Sequence, residues 1–416
     1  MPPVWAPPDG DPEGFDDLDL GWLRARPGEK WAQARAGGDD VLACWVADMD
    51  FPAPAPAREA LIGLADLGDF GYPDGKEEDA LESPWAARME SRFGWSPSPG
   101  KVRVFTDLVQ GAEAVLEAGT ERGDGVLLLT PSYPPFVGAI VAMGRRLLPV
   151  PALDTGYGWA FDLDAAASGA RDAKAILLVN PHNPTGRMLT VPELEAIAEL
   201  AERYDLLVIS DEVHADLTLV GEVHVPFASL GSPLEARTVS LYSASKSHNL
   251  GGMRCAIAHM GSARVERRLR AFPQHLLGRV SVTAVATTLA SWSPAGDAWL
   301  ERALQRLRAN RERLSSWLGE GALEIATRGY PPQATYLCWL DFRSTGVPPL
   351  AEEPGKWLLD KAGVMLSDGA TFGPGGAGFA RLNFATSPGV LDEVLARVQA
   401  AVSAARRDKA TKDETG

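Results

Sequence analysis

Cysteine is scarce in this sequence, and its scarcity argues against a disulfide-stabilised architecture. The 416 residues contain three cysteines, Cys44, Cys255 and Cys338, each within an apolar stretch. An odd number of widely spaced cysteines does not form a disulfide framework, so we expect all three to be reduced. Thiols in apolar stretches usually pack as small hydrophobic side chains, and we expect that role for each of them.

Two kinds of segment are also missing, a secretory signal and a membrane span. Residues 1–5 (Met-Pro-Pro-Val-Trp) do not begin a basic stretch followed by an apolar one. The apolar runs elsewhere in the sequence are too short to cross a bilayer. We therefore expect a cytoplasmic protein that has no membrane partner.

Basic residues are in the minority. The sequence has 40 Lys and Arg against 55 Asp and Glu, a formal net charge of −15 at pH 7. Nucleic acids and anionic bilayers repel an acidic surface, so neither is an expected partner. A composition that is 45% hydrophobic and 23% charged is ordinary for a soluble globular enzyme. We expect a small-molecule substrate and no metal ion.

The middle of the chain has the pattern of an α/β fold. Its short apolar runs do not alternate with polar residues, as is typical of strands buried on both faces. Helical patterns separate several of these runs, and the clearest starts at Thr190, which forms a capping box with Glu193. This order predicts a mostly parallel sheet, of the seven-stranded type, with right-handed crossovers. The predicted strands are residues 125–130, 175–180, 205–210, 238–242 and 255–260.

The pattern changes near residue 296. A long amphipathic helix over 297–318, an alternating strand over 335–340, a helix near Trp357 and a strand over 381–384 predict a smaller α+β domain. A chain of this length is sufficient for one large and one small domain. We expect an N-terminal arm with part of the small domain at 1–50, the large domain at 51–290, the C-terminal small domain at 291–405 and a disordered tail at 406–416.

Three of the predicted strands lead into polar residues of complementary chemistry. Asn183, Asp211 and Lys246 follow apolar runs at 176–179, 206–209 and 238–242. Ligands of parallel α/β sheets bind beyond the carboxyl ends of the strands, so we expect these side chains to meet there. Pyridoxal phosphate (PLP) requires an amine for an imine bond, a carboxylate for the pyridinium nitrogen and a donor for the ring oxygen.

Each of these residues has an ordinary explanation when taken alone. Most lysines are solvated surface charges, and Asp211 could be a helix cap after a strand. Together they favour a PLP site with Lys246 as the catalytic amine. Burial and a cationic cofactor would lower the pKa of Lys246, which must be unprotonated to attack an aldehyde.

Other residues near these strand ends could supply the remaining contacts of the cofactor. His214, three residues after Asp211, could donate to the phenolic oxygen, and Tyr133 could stack on the pyridine ring. Core packing is the alternative for both side chains. A phosphate group needs N–H donors at a helix start, hydroxyl groups and positive charge. The candidates are Gly111, Ala112, Glu113, Ser243, Ser245 and Arg254.

Arg381 stands apart from these residues in the sequence. It lies inside an apolar strand pattern, where an arginine is costly unless it meets an anion. A bidentate contact with the α-carboxylate of a substrate would satisfy it, and a structural ion pair is the alternative.

These motifs together resemble those of fold type I PLP-dependent enzymes of the class I/II aminotransferase superfamily. The resemblance covers roughly residues 15–400 and rests on Asn-Pro-Thr-Gly at 183–186, Ser-Asp-Glu at 210–212 and Ser243 with Lys246. It implies a homodimer with active sites at the subunit interface. It also implies that Tyr72 reaches the phosphate held by the partner subunit.

A narrower resemblance is to the MalY/PatB branch, the cystathionine β-lyase or C–S lyase group. It rests on residues 45–51 (Trp-Val-Ala-Asp-Met-Asp-Phe), 180–187 (Asn-Pro-His-Asn-Pro-Thr-Gly-Arg), 211–216 (Asp-Glu-Val-His-Ala-Asp) and 381–385 (Arg-Leu-Asn-Phe-Ala). On this pattern Asp48 contacts the substrate. The chain departs from the branch at Ser247-His248, where Thr-Phe is usual, at Thr386, where cysteine is usual, and at Arg254, which is typical of aminotransferases.

The resemblance implies a PLP-dependent carbon–sulfur β-lyase that converts cystathionine or another S-substituted cysteine to a thiol, pyruvate and ammonia. An aminotransferase that uses the same lysine is the alternative. A lyase or decarboxylating deaminase of specialised metabolism is a third hypothesis, to which His248 gives some weight. A PLP-binding regulator is disfavoured because the sequence has no helix-turn-helix segment before the PLP domain and is acidic.

Overall fold

The computed structural model describes residues 14–72 and 74–415, so the first 13 residues of the predicted N-terminal arm lie outside the described residues. Within these ranges, no helix combines the length and apolar character needed to cross a lipid bilayer. The cysteines Cys44, Cys255 and Cys338 are all buried and free, which confirms the prediction of reduced core residues.

An eight-stranded mixed sheet forms the centre of the molecule. Its strand order is β2-β9-β8-β7-β6-β3-β4-β5, in which β4, β3, β6, β7 and β8 are parallel neighbours and β9 is antiparallel to both β8 and β2. The strands in chain order are β1 (Leu42–Ala43), β2 (Val102–Phe105), β3 (Gly125–Thr130), β4 (Arg146–Asp154), β5 (Trp159–Phe161), β6 (Ala173–Val179), β7 (Leu207–Asp211), β8 (Thr238–Tyr242), β9 (Ala256–Met260), β10 (Arg328–Gly329), β11 (Leu337–Asp341), β12 (Val364–Met365), β13 (Ser367–Asp368) and β14 (Phe379–Asn383).

Both faces of the large sheet are covered by helices. Alternate residues of β3 enter opposite cores: Val126 and Leu128 pack on one side, and Leu127 and Leu129 on the other. The helices in chain order are α1 (Leu20–Ala25), α2 (Glu29–Gly37), α3 (Ala55–Leu67), α4 (Glu77–Phe93), α5 (Leu108–Gly119), α6 (Pro134–Ala142), α7 (Leu163–Gly169), α8 (Val191–Arg203), α9 (Ser232–Glu235), α10 (Ala244–Ser247), α11 (Ala263–Arg270), α12 (Val282–Ser291), α13 (Pro294–Gly319), α14 (Gly321–Glu324), α15 (Pro348–Glu352), α16 (Pro354–Ala362) and α17 (Pro388–Thr415). Strands with apolar residues on both faces and helices on both sides confirm the predicted α/β class.

A second core joins the two ends of the chain. The order β10-β11-β14-β13 makes a small antiparallel sheet, and β1 pairs in parallel with β12. Trp31 and Phe51 pack in the same apolar cluster as Trp299 and Leu391. Residues before the large sheet therefore pack against the segment that follows it.

Two predicted boundaries are wrong for local reasons. The tail expected to be disordered from 406 continues α17 to Thr415, because its Ala, Arg, Lys and Asp residues lack the Pro or Gly that would end a helix. A strand-like apolar pattern over 102–109 also predicts a longer β2 than the structure has: the strand ends at Phe105, and α5 begins at Leu108 after its N-cap Asp107. By contrast, the predicted capping box of Thr190 and Glu193 at the start of α8 is confirmed.

Candidate active site

A cleft of about 130 Å³ opens at the carboxyl ends of the central strands. Tyr133 follows β3, Asn183 follows β6, Asp211 ends β7, and Lys246 lies on α10 just after β8. The structure thus brings together residues up to 113 positions apart, from Tyr133 to Lys246. The predicted residues that line the cleft are Tyr133, Asn183, Asp211, His214, Ser243, Ser245, Lys246 and Arg254.

The amine of Lys246 points into the cleft and is held there by segment 45–51. Its Nζ donates to the carbonyl oxygen of Ala47 at 2.7 Å and lies 3.7 Å from Oδ1 of Asp48. Burial lowers the pKa of this amine; Asp48 opposes that shift, and Arg381 adds to it. A lysine with a lowered pKa at the mouth of a cleft is suited to nucleophilic attack and to proton abstraction.

Asp211 and His214 form the floor of the cleft beside Lys246. Burial raises the pKa of the Asp211 carboxyl to about 7, although the backbone N–H of Val213 donates to it at 3.0 Å. Burial also lowers the pKa of His214 to about 3, helped by the positive charges of Lys246 and Arg381, so this imidazole is neutral. Its Nδ1 is buried and has no partner among the described residues.

Arg381 lies in β14, close to the same cleft, and has no carboxylate within ion-pair distance in the described part of the chain. Its Nη1 donates to Oδ1 of Asn183 at 2.9 Å, and its Nη2 donates to the carbonyl of Trp45 at 2.7 Å. The guanidinium lies 5.0 Å from the ring centroid of Phe372. Burial lowers the pKa of Arg381 to about 10, so the group is still charged at neutral pH. A buried cation without an anion fits an anionic ligand better than a structural ion pair.

Segment 45–51 is fixed by two asparagines from different parts of the chain. Asn383 donates to the carbonyls of Val46 and Asp48 at 2.6 and 2.7 Å. Asn249 donates to the carbonyls of Met49 and Phe51, and accepts from the N–H of Met49. The carbonyl that holds Lys246 is therefore part of a rigid support.

The residues predicted to bind the phosphate group do not all reach the cleft. Gly111, Ala112 and Glu113 lie within α5 and do not line the cleft, and the N–H of Gly111 donates to the carbonyl of Asp107. The first turn of α5, with Leu108 and Val109, takes their place at the cleft.

Ser243 lines the cleft, but its hydroxyl is engaged within the protein. The hydroxyl donates to the carbonyl of Cys255 at 2.6 Å and accepts from the N–H of Ser245, so it caps α10. Arg254 lies at the rim, where it pairs with Asp107. The first turn of α5, Ser245 and Arg254 therefore lie together at this end of the cleft.

Several residues at the site are not among the candidate residues that the sequence patterns predict. Tyr336 donates its hydroxyl to the same Ala47 carbonyl at 2.9 Å, and its ring lies 6.0 Å from that of His214. No local pattern predicts such a contact with a backbone oxygen. The start of α5 did carry a signal, because Asp107 and Gln110 have the spacing of a helix cap, and the N–H of Gln110 donates to Asp107 at 2.8 Å.

Two further residues that the sequence singled out, His248 and Tyr72, also lie outside this cleft. His248 is fully buried beneath it, bonded to the hydroxyl of Ser247 and stacked on Trp299, so it does not face the amine of Lys246. The suggestion that it alters the chemistry there is wrong on this geometry. Tyr72 lies in the loop between α3 and α4 and is 100% exposed.

The donor set fits PLP. The carboxyl of Asp211 and the unpartnered Nδ1 of His214 are buried polar groups that a pyridinium nitrogen and a phenolic oxygen would satisfy. No group of His, Cys, Asp and Glu side chains suited to a metal ion occurs in the described ranges.

The sequence model of aminotransferase class I and II matches residues 48–398. The chain belongs to this family. It is 34% identical over 372 residues to the cystathionine β-lyase PatB of Bacillus subtilis, which covers 88% of this chain and 94% of PatB. This similarity confirms the predicted branch.

Solved structures show the same fold. The structure of OvoB is 33% identical, has a TM-score of 0.85 and covers 93% of this chain and 98% of its own. Cystalysin from Treponema denticola, whose structure contains a pyridoxal 5′-phosphate cofactor, is 25% identical, with a TM-score of 0.84 and coverage of 94% and 99%. These two structures confirm the predicted fold type I architecture over nearly the whole of this chain.

Proposed function

We propose that this protein is a PLP-dependent carbon–sulfur β-lyase. Its substrate is an S-substituted cysteine such as cystathionine, and its products are a thiol, pyruvate and ammonia. The observation that carries the proposal is the cleft that holds the amine of Lys246 and the carboxyl of Asp211, beside the guanidinium of Arg381. That guanidinium bonds the lining residue Asn183 and has no carboxylate partner among the described residues. The preference for a lyase over an aminotransferase is supported by similarity to relatives named cystathionine β-lyase, such as PatB.

Lys246 has two tasks in this proposal. It holds the cofactor covalently and, once the substrate amine has replaced it, removes the Cα proton as general base. Burial lowers the pKa of this amine, which favours its unprotonated form. The cofactor, when bound, accepts the electron pair released at Cα. Asp211 keeps the ring nitrogen protonated, and a cationic partner would remove the cost of burying its carboxylate.

Arg381 binds the α-carboxylate of the substrate through its guanidinium fork. The contacts to Asn183 and Trp45, with Phe372 against the guanidinium, fix its plane before substrate arrives. A fixed carboxylate lets the Cα–H bond be directed towards Lys246. Such positioning can contribute on the order of 7 kcal/mol to lowering a barrier.

The other cofactor contacts follow from the lining of the cleft. Tyr133 would stack on the ring and His214 would bind the phenolic oxygen. The first turn of α5, Ser245 and Arg254 would hold the phosphate. Gly111, Ala112 and Glu113 would support this end from behind, and Ser243, whose hydroxyl caps α10, would position Ser245.

The remaining proposals concern assembly and organisation. We propose a cytoplasmic homodimer in which Tyr72 reaches the phosphate of the partner subunit. The full exposure of Tyr72, with Phe70 66% and Leu67 71% exposed beside it, supports a covered surface here. The division into a large domain at 51–290 and a small domain formed by 291–405 with part of 1–50 is consistent with the shared apolar cluster.

An assay without a keto acid separates the lyase from the aminotransferase. Purified protein loaded with PLP is mixed with cystathionine, and pyruvate and free thiol are measured together. Equal amounts of both, formed over many turnovers without a keto acid, support the lyase. Turnover that strictly requires a keto acid supports the aminotransferase, the alternative that the family name favours. No structural observation favours the third hypothesis, a decarboxylating or specialised lyase, since His248 does not face the cleft.

A further inference from the structure

One acidic side chain beside the catalytic amine has no part in holding the cofactor. Oδ1 of Asp48 lies 3.7 Å from Nζ of Lys246. The Asp48 side chain is 41% exposed and that of Lys246 is 23% exposed, so both groups are accessible to solvent. The negative charge therefore acts on the amine at short range.

The position of this carboxylate is built into the fold. The carbonyl of Asp48 accepts from Asn383 at 2.7 Å and from the buried Lys30 at 3.2 Å, and its N–H donates to the carbonyl of Val46. The side chain passes close to Gly251, where an added Cβ would lie 3.2 Å from Oδ1. A glycine at 251 leaves room for the carboxylate next to Lys246.

The charges around Lys246 act in opposite directions. The ammonium form of Lys246 is not stabilised by burial, by Arg381 on β14 or by the neutral His214. The ammonium form is stabilised by Asp48, by the carbonyl of Ala47 and, to a lesser degree, by Asp211. The unprotonated amine is thus favoured by its burial, and the ammonium form has Asp48 and the Ala47 carbonyl as stabilising neighbours.

We propose that Asp48 is a positioning residue that keeps the captured proton on Lys246 until the leaving sulfur receives it. This inference rests on the proposed lyase function. The Cα–H bond breaks and its proton forms an N–H bond on Lys246. The electron pair forms the Cα=Cβ bond while the Cβ–S pair leaves on sulfur. The ammonium of Lys246 then gives its proton to the thiolate, and water completes the release of pyruvate and ammonia.

The test compares two leaving groups in the holoenzyme and in Asp48→Asn. An alkyl thiolate such as that from cystathionine is basic and needs a proton, whereas the chloride from β-chloroalanine does not. We expect kcat for cystathionine to fall by about tenfold or more in the variant, and kcat for β-chloroalanine to fall by less than about threefold. Equal losses with both substrates, or no loss with either, would overturn the inference.

A pH profile gives a second readout that a merely structural role would not change. Removing the negative charge lowers the pKa of the Lys246 ammonium, so the fall of kcat at high pH should begin at lower pH in Asp48→Asn with cystathionine. An unchanged profile would count against the inference. Asp360→Asn, an exposed residue of α16, makes the same change of charge far from the cleft and should leave both substrates unaffected. If the unmodified enzyme forms no pyruvate from either substrate, the lyase proposal itself fails.

Discussion

Nη1 of Arg381 donates to Oδ1 of Asn183 across 2.9 Å, although 198 positions separate the two residues in the chain. Arg381 comes from β14 of the small sheet and Asn183 from the end of β6 in the large one. The contact joins the small sheet to the cleft at the end of the large one. On the proposed function, it would link binding of the substrate carboxylate to the packing of the two sheets.

Arg381→Lys is expected to weaken substrate binding more than catalysis. Lysine keeps the charge but loses the planar fork, at a cost of about 1.5–3 kcal/mol for one charged hydrogen bond. We expect kcat/KM to fall roughly 10- to 100-fold, mainly through KM. The matched control is Arg343→Lys, since Arg343 also lies over a ring, Phe379 at 4.5 Å, but pairs with Asp341 outside the cleft. Comparable losses in both variants would contradict the assignment.

Asp211 should make the cofactor-free protein less stable as pH rises. Its folded pKa is about 7 against an ordinary value of 3.8, so the folded state binds the proton more tightly. The stabilisation is complete below about pH 4 and is lost as pH rises to about 7, with a slope of at most about 1.4 kcal/mol per pH unit. Urea unfolding of the wild type and Asp211→Asn should show a stability difference that changes in this window. Parallel stability curves would refute the burial of a protonated carboxyl.

Asp216 is expected to be a major contributor to stability close to the site. Burial alone would raise the pKa of Asp216, but Arg88 and Arg92 hold that pKa at about 2. The hydroxyl of Tyr242 also donates to the Asp216 carboxylate at 2.6 Å. Asp216→Asn removes the buried carboxylate that pairs with Arg88 and leaves that arginine only the half-exposed Asp297, so we expect a loss of about 3–5 kcal/mol in denaturant unfolding. Asp205→Asn breaks an exposed pair with Arg237 and should cost less than about 1 kcal/mol. A small loss at Asp216 would show that the network is not needed.

Subunit mixing tests the proposed contribution of Tyr72 to a partner site. Lys246→Ala and Tyr72→Ala should each have little activity alone. In a mixed dimer one site receives both intact residues, so random exchange should restore up to about a quarter of the wild-type sites. Absence of recovery, after exchange has been verified by mass, would contradict a shared site.

The core of the site could be predicted because its residues follow buried runs. Asn183, Asp211 and Lys246 each come after a short apolar strand, and parallel strands bring such positions to one edge of a sheet. Arg381 was identifiable because a charge inside an apolar strand needs an anion. These inferences depend on local pattern and general chemistry only.

The supporting contacts could not be predicted in this way. The carbonyl of Ala47 is an ordinary backbone group, and only the tertiary fold brings it to Lys246 and Tyr336. His248 carries a reactive side chain next to the catalytic lysine in sequence, but the helical turn of α10 directs it into the core against Trp299. The position of His248 in the sequence suggested that it lies in the cleft, but the local helical geometry points its side chain away from the cleft.

The most direct test of the account is to locate the covalent attachment of PLP. The loaded protein is reduced with borohydride and digested, and the modified peptide is identified by mass spectrometry, with Lys246→Ala treated in parallel. We expect one modified lysine, Lys246, and loss of both the label and the turnover in the variant. A label on another lysine of the wild type, or undiminished turnover in Lys246→Ala, would contradict the central claim.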